Sequence, residues 1–99
     1  MAIAVIAEIP SQDAYETLTE AMFGTKRAPA VDGCIIHTMG KGPNGFRVVD
    51  VWESQEAFDS FMNDKLMPAM EEAGMTDMTG TTPEIIDLMH VIVNEEVRV

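Results

Sequence analysis

Positive charge is scarce in this chain: 6 Lys and Arg stand against 17 Asp and Glu, for a formal net charge of −11. Apart from Lys26 and Arg27, the basic residues are scattered singly. Binding phosphate backbones needs a clustered positive footprint, so nucleic acid is excluded as an expected partner. An acidic surface mainly favours solubility. Cysteine is nearly absent as well. Cys34 is the only one, which rules out an internal disulfide and leaves a small apolar residue in a strand. No window approaches the roughly 18 continuous apolar residues of a membrane span, so no membrane association is expected. The opening MAIAVIAEIP has no basic start and is too short for a signal peptide; it reads as a strand, and the expected compartment is the cytoplasm.

Several chemical signatures are missing too. There is no two-histidine, CxxC or HExxH pattern, so no metal is expected. The glycine-rich stretch Gly40 to Gly45, GKGPNG, precedes a strand and not a helix, so it is no phosphate loop, and no cofactor is expected. A nucleophile elbow is absent. Nine methionines could in principle offer soft ligands to Cu(I), but without a second cysteine or clustered histidines they read as flexible apolar filler.

The most informative stretch that is present runs from Val48 to Gly74. Val48, Val49 and Val51 favour a strand that ends at Trp52, and Ser54 can cap a helix whose first turn carries Glu56. Phe58, Phe61, Met62, Leu66, Ala69, Met70 and Ala73 then recur at helical spacing and form one apolar stripe. Pro68 lacks an amide hydrogen and should kink this helix, or split it near Asp64 to Lys65, before Gly74 ends it.

The rest of the chain fits around that unit. Ala2 to Glu8 reads as a first strand ending before Pro10. Ser11 caps a helix over Gln12 to Phe23, with an apolar stripe from Ala14 and Tyr15 to Met22 and a stop at Gly24. Thr25 to Asp32 is a connecting loop, Gly33 to Met39 a second strand, and GKGPNG a hairpin connection to the strand Phe46 to Trp52. Met75 to Pro83 is a polar loop, Glu84 to Val93 the last strand, and Asn94 to Val99 a tail or an arm reaching a partner subunit.

The order βαββαβ predicts an α+β, ferredoxin-like domain over residues 1–99, with an antiparallel sheet carrying two helices on one face. By alternation Cys34, Ile36, Val49 and Val51 share the other face of the hairpin, where they would leave an apolar patch. A homodimer packed sheet to sheet, as an α+β barrel, would cover it.

Strand three ending in VVDVWES, followed by QEAFDSF and a helix with a late LMPAM segment, resembles the dimeric α+β barrel proteins of the antibiotic-biosynthesis-monooxygenase type, with DGCIIHTMG as the second strand. The resemblance implies a pocket between sheet and helices in each subunit. It does not imply one reaction, because that superfamily includes cofactor-independent quinone-forming monooxygenases, haem-degrading enzymes, chlorite dismutase-like enzymes and small lyases. The haem-degrading branch has a tryptophan and a haem-ligating histidine where this chain has Phe61 and Glu71, so haem chemistry is not expected.

Centring the hairpin on GKGPNG pairs His37 with Val48 and Ile35 with Asp50, which makes His37 and Asp50 diagonal neighbours on the face that also holds Trp52. A carboxylate beside an imidazole favours the protonated ring or orients its neutral tautomer as a base. His37 and Asp50 are therefore the candidate catalytic pair. Tyr15, Trp52, Phe58, Phe61 and Met62 are the candidate walls of an aromatic pocket for a small hydrophobic or aromatic molecule. His90, without an acidic partner, reads as a strand or interface histidine. The expected function is a small homodimer resembling cofactor-independent monooxygenases of phenolic or polycyclic metabolites. The alternative is a non-catalytic binding or accessory dimer of the same fold.

Overall fold

A computed structural model describes residues 1–43, 45–74 and 83–93. The first strand, β1 (Ile3–Ile9), leads into helix α1 (Gln12–Phe23). Ser11 caps that helix through its side chain, which accepts from the Ala14 amide at 3.1 Å. Gly24 ends it in the left-handed conformation, φ 74°, with its N–H on the Glu20 carbonyl. Strands β2 (Cys34–Gly42) and β3 (Gly45–Trp52) form a hairpin.

Ser54 caps α2 (Gln55–Phe61) in the same way as Ser11, accepting from the Ala57 amide at 3.1 Å. A π-helical turn over Met62–Leu66 then passes into α3 (Met67–Glu72), with Pro68 in the first turn of α3. The irregularity has a local cause. Pro68 has no N–H to give the carbonyl four residues back, and the ladder widens just before it, with Met67 N–H reaching the Met62 carbonyl. The expected split near Asp64 and Lys65 thus takes the form of a π-helical turn. Strand β4 (Glu84–Asp87) is the last element of the described chain.

The sheet has four strands in the order β2-β3-β1-β4, with every neighbouring pair antiparallel. This is the ferredoxin-like α+β arrangement. Ile3, Val5, Trp52 and Phe58 form the buried cluster where sheet and α2 meet, and Val31, Cys34, Ala57, Phe61 and Met62 pack against it. Gly33 is the point of closest approach. Its φ is +86°, and a Cβ there would lie 2.7 Å from the Ala57 Cβ, so only glycine lets the chain enter β2 past α2.

Three sequence expectations need correction. The hairpin ladder runs as far as the Gly42↔Gly45 pair, which leaves two residues between the strands instead of six. His37 therefore lies opposite Asp50, not Val48, and Ile35 is not the partner of Asp50. The second correction is a bulge between Cys34 and Ile36: Cys34 pairs with Trp52 while Ile36 pairs with Val51, so Cys34 turns to the helix-covered side and leaves the outer face to Ile36, Val49 and Val51. The third concerns the last strand, which covers only Glu84–Asp87 of the expected 84–93. Leu88 N–H still donates to the Ala2 carbonyl at 2.9 Å, but residues 88–93 have left the sheet and His90 with them. An apolar run becomes a strand only where a neighbouring strand offers it a ladder. Residues 75–82 of the expected polar loop and the expected tail, 94–99, lie outside the described residues.

Candidate functional site

The hairpin register puts two polar side chains directly across from each other on the inner face. His37 Nδ1 stands 2.7 Å from Asp50 Oδ1. A carboxylate can only accept, so Nδ1 carries the hydrogen, and in the neutral ring Nε2 is left as the acceptor. That acceptor is taken from above the sheet: the Tyr15 hydroxyl, carried by α1, lies 2.6 Å from Nε2. The two rings are nearly coplanar in orientation, 13° apart with centroids 6.0 Å apart. The Thr19 hydroxyl donates to the Tyr15 carbonyl at 2.8 Å, one helical turn on. The result is a chain of hydrogen bonds, Tyr15 to His37 to Asp50, that joins a helix to two strands.

Its electrostatics follow from the same contacts. The hydrogen bond that its Nδ1–H donates to Asp50 raises His37 above its ordinary 6.5, and burial pulls the other way. Burial pushes the Tyr15 phenol above its ordinary 10.0, partly offset by Thr19, and the charge of Asp50 adds to the rise. Burial also pushes the Cys34 thiol up, to about 11, so this cysteine stays a neutral thiol and not a nucleophile. Access is graded along the chain: the His37 side chain is 36% exposed and that of Asp50 11%.

This polar chain opens on a cavity of about 490 Å³ between the sheet and the helices, a volume suited to a small organic molecule. His37, Asp50 and Tyr15 line it, and so do Trp52, Phe58, Phe61 and Met62. Trp52 packs edge to face on Phe58 at 5.6 Å and tilted on Phe61 at 5.2 Å, giving the cavity a rigid aromatic floor. The Trp52 indole nitrogen is buried and has no hydrogen-bond partner among the described residues. Glu71, at the position compared with a haem ligand, is exposed and lies outside the cavity lining, and among the described residues no group of three His, Cys, Asp or Glu side chains could hold a metal ion.

No family model matches the sequence, and no curated protein matches it either. Solved structures do resemble it in shape. A candidate antibiotic biosynthesis monooxygenase from Chloroflexus aurantiacus superposes with a TM-score of 0.59 at 15% identity, covering 94% of this chain and 98% of the other. A candidate antibiotic biosynthesis monooxygenase from Deinococcus radiodurans gives 0.54 at 15%, covering 97% and 100%. A protein from Mycobacterium tuberculosis gives 0.56 at 19%, covering 94% and 98%. The chain shares the fold of these structures. At such identities the likeness is one of architecture and carries no reaction.

Within this fold, His37, Asp50 and the five expected wall residues all line one cavity. Two features were beyond the sequence. The alternation that put His37 and Asp50 on one face did not reveal that they are directly opposed. Tyr15, expected as a wall, is hydrogen-bonded to the imidazole. Its place on the apolar stripe of α1 shows which way it faces, but nothing in the pattern shows that its hydroxyl meets a histidine 22 residues on.

Proposed function

We propose that this protein is a homodimeric, cofactor-independent monooxygenase-like enzyme of the cytoplasm that takes a phenolic or polycyclic molecule into the cavity and removes a proton from it. The observation that carries the reading is the hydrogen-bonded chain of Tyr15, His37 and Asp50 set into an otherwise apolar cavity. Asp50 holds the imidazole in the tautomer that can accept a proton. The aromatic floor gives a flat ring system a surface to pack against.

The chemistry balances without a cofactor. A phenol or enol that has lost its proton is electron-rich enough to reduce dioxygen. Addition of O₂ at the activated carbon, a ring CH₂ or the aromatic C–H para to the phenol oxygen, gives a hydroperoxide that loses water to leave a quinone carbonyl, with one oxygen atom of O₂ retained and the other leaving as water. The chain's part is to hold the ring, accept the first proton and return a proton to the departing oxygen. The reading is in line with the descriptions of the Chloroflexus and Deinococcus neighbours as candidate antibiotic biosynthesis monooxygenases.

Assembly is read from the uncovered surface. Val49 and Ile86 on the outer sheet face are each 41% exposed, and beyond β4 Met89 and Ile92 stand at 90% and 82%. Apolar surface of that extent on a sheet invites a second copy. Oxygen uptake tests the enzyme reading: with a panel of polycyclic phenols, wild type consumes O₂ and His37→Asn does so at least about a hundredfold more slowly, the usual size of a lost acid-base group. Equal uptake by the two proteins contradicts it.

A further inference from the structure

Both nitrogens of the His37 ring already have partners. Nδ1 is held by Asp50 at 2.7 Å, and Nε2 by the Tyr15 hydroxyl at 2.6 Å. A ligand hydroxyl in the cavity therefore meets no vacant nitrogen lone pair. What it can meet is the oxygen of Tyr15. A hydroxyl that gives its hydrogen to Nε2 keeps its lone pairs, and so presents an acceptor to anything beyond it. Tyr15 and His37 both line the cavity, and the hydrogen bond between them brings the helix side chain onto the nitrogen that a base would use.

We infer that Tyr15, and not His37, is the group that exchanges a proton with the ligand, passing its own hydrogen to His37 as it takes the ligand's. The inference rests on the proposed proton abstraction and names the atom that performs it. The step balances as follows. The ligand O–H bond breaks and a new O–H bond forms on Tyr15, while the original Tyr15 O–H bond breaks and an N–H bond forms on Nε2. The ligand leaves the step as an anion, His37 as an imidazolium paired with the Asp50 carboxylate, and Tyr15 as a neutral phenol that now donates to the ligand oxygen. Tyr15 never has to become a free tyrosinate, which fits the upward push that burial gives its phenol. His37 acts as the store for the proton, and its hydrogen bond to the Asp50 carboxylate, which raises its affinity for one, suits it to that task. Among the described residues, the other titratable groups lining the cavity are Cys34 on β2, held as a neutral thiol, and Glu8 on β1, whose carboxylate meets Arg47 at 3.3 Å.

The preferred ligand is then a weak acid with one ionisable hydroxyl on a flat apolar body: the hydroxyl goes to Tyr15 and the rings to Trp52, Phe58 and Phe61. A ligand already anionic in solution gains less, because the Tyr15 hydrogen is engaged by Nε2 until a proton arrives.

para-Nitrophenol reports its own ionisation by colour and serves as the probe, bound at a pH below its solution pKa to the full-length protein. Wild type is expected to bind it as the yellow phenolate. Tyr15→Phe keeps the ring and its packing, and is expected to bind the probe within a few-fold of wild type while its phenolate fraction falls at least about tenfold, one pKa unit of the bound probe. His37→Asn is expected to lose the colour as well. Far-UV circular dichroism checks that each variant is folded. A Tyr15→Phe protein that still ionises bound probe as wild type does overturns the assignment to Tyr15 and leaves proton abstraction by His37 standing. A wild type that leaves the probe colourless overturns both.

Discussion

With both ring nitrogens engaged, His37 titrates as part of a three-residue unit, and stability and proton abstraction should respond to pH in opposite directions. Asp50 raises the folded-state value above the ordinary 6.5, so the folded state binds the proton more tightly than the unfolded chain does. The stabilisation is complete below the unfolded value and is lost as pH rises through the raised folded value. Denaturant unfolding across that window should show wild type losing stability with rising pH, and His37→Asn showing a flatter profile. Base function needs the neutral ring, so oxygen uptake should rise over the same window in which stability falls. The Asp50→Asn amide keeps an oxygen that can accept from Nδ1–H but removes the negative charge that favours the protonated ring. Asp50→Asn should accordingly bring the His37 titration, followed by NMR, down towards its ordinary value.

Among the elements, the junction of the loop with β2 and α2 is the tightest. Gly33 combines φ +86° with a Cβ position 2.7 Å from Ala57. Gly33→Ala should destabilise the protein by about 1–3 kcal/mol from the backbone strain alone, with more from the clash, read as a lower denaturation midpoint. Gly24→Ala, at φ +74° but with nothing within 4 Å, should show the backbone cost without the clash, which makes the pair a direct comparison.

How far these elements could be read from the chain depended on the range of the interactions involved. Ser11, Ser54, Gly24 and Pro68 act within a turn of their own position, and the helix bounds and the break before α3 were legible from them. The hairpin was legible as a pair of strands but not in register, because GKGPNG has turn residues throughout and only the ladder shows that Gly42 and Gly45 are still paired. The bulge that turns Cys34 inward leaves no mark in the run Cys34, Ile35, Ile36, where every side chain is apolar. The candidate site was legible as a face and not as a bond. Parity survives a shift of two residues, so His37 and Asp50 stayed on one side, whereas their opposition and the Tyr15 contact are long-range facts.

At the scale of the whole molecule, the helices cover one face of the sheet, and Val49, Ile86 and the stretch with Met89 and Ile92 remain uncovered on the monomer. The solution mass should be twice 10.9 kDa, and Val49→Lys combined with Ile86→Lys should shift it to the monomer mass. Those substitutions lie on the outer sheet face, and the cavity lies on the other. Ligand binding by the resulting monomer would therefore show how far the cavity depends on assembly. A wild type that sediments as a monomer at micromolar concentration contradicts the dimer.

The central claim is that the cavity removes a proton from a phenolic ligand. It is tested most directly by the ionisation of a bound polycyclic phenol, followed by absorbance against pH in wild type and in His37→Asn. The account predicts that binding to wild type lowers the phenol's pKa by at least about one unit, and that the shift disappears in His37→Asn although the phenol still binds. An equal pKa for the bound phenol in the two proteins, or no binding to wild type, would contradict it.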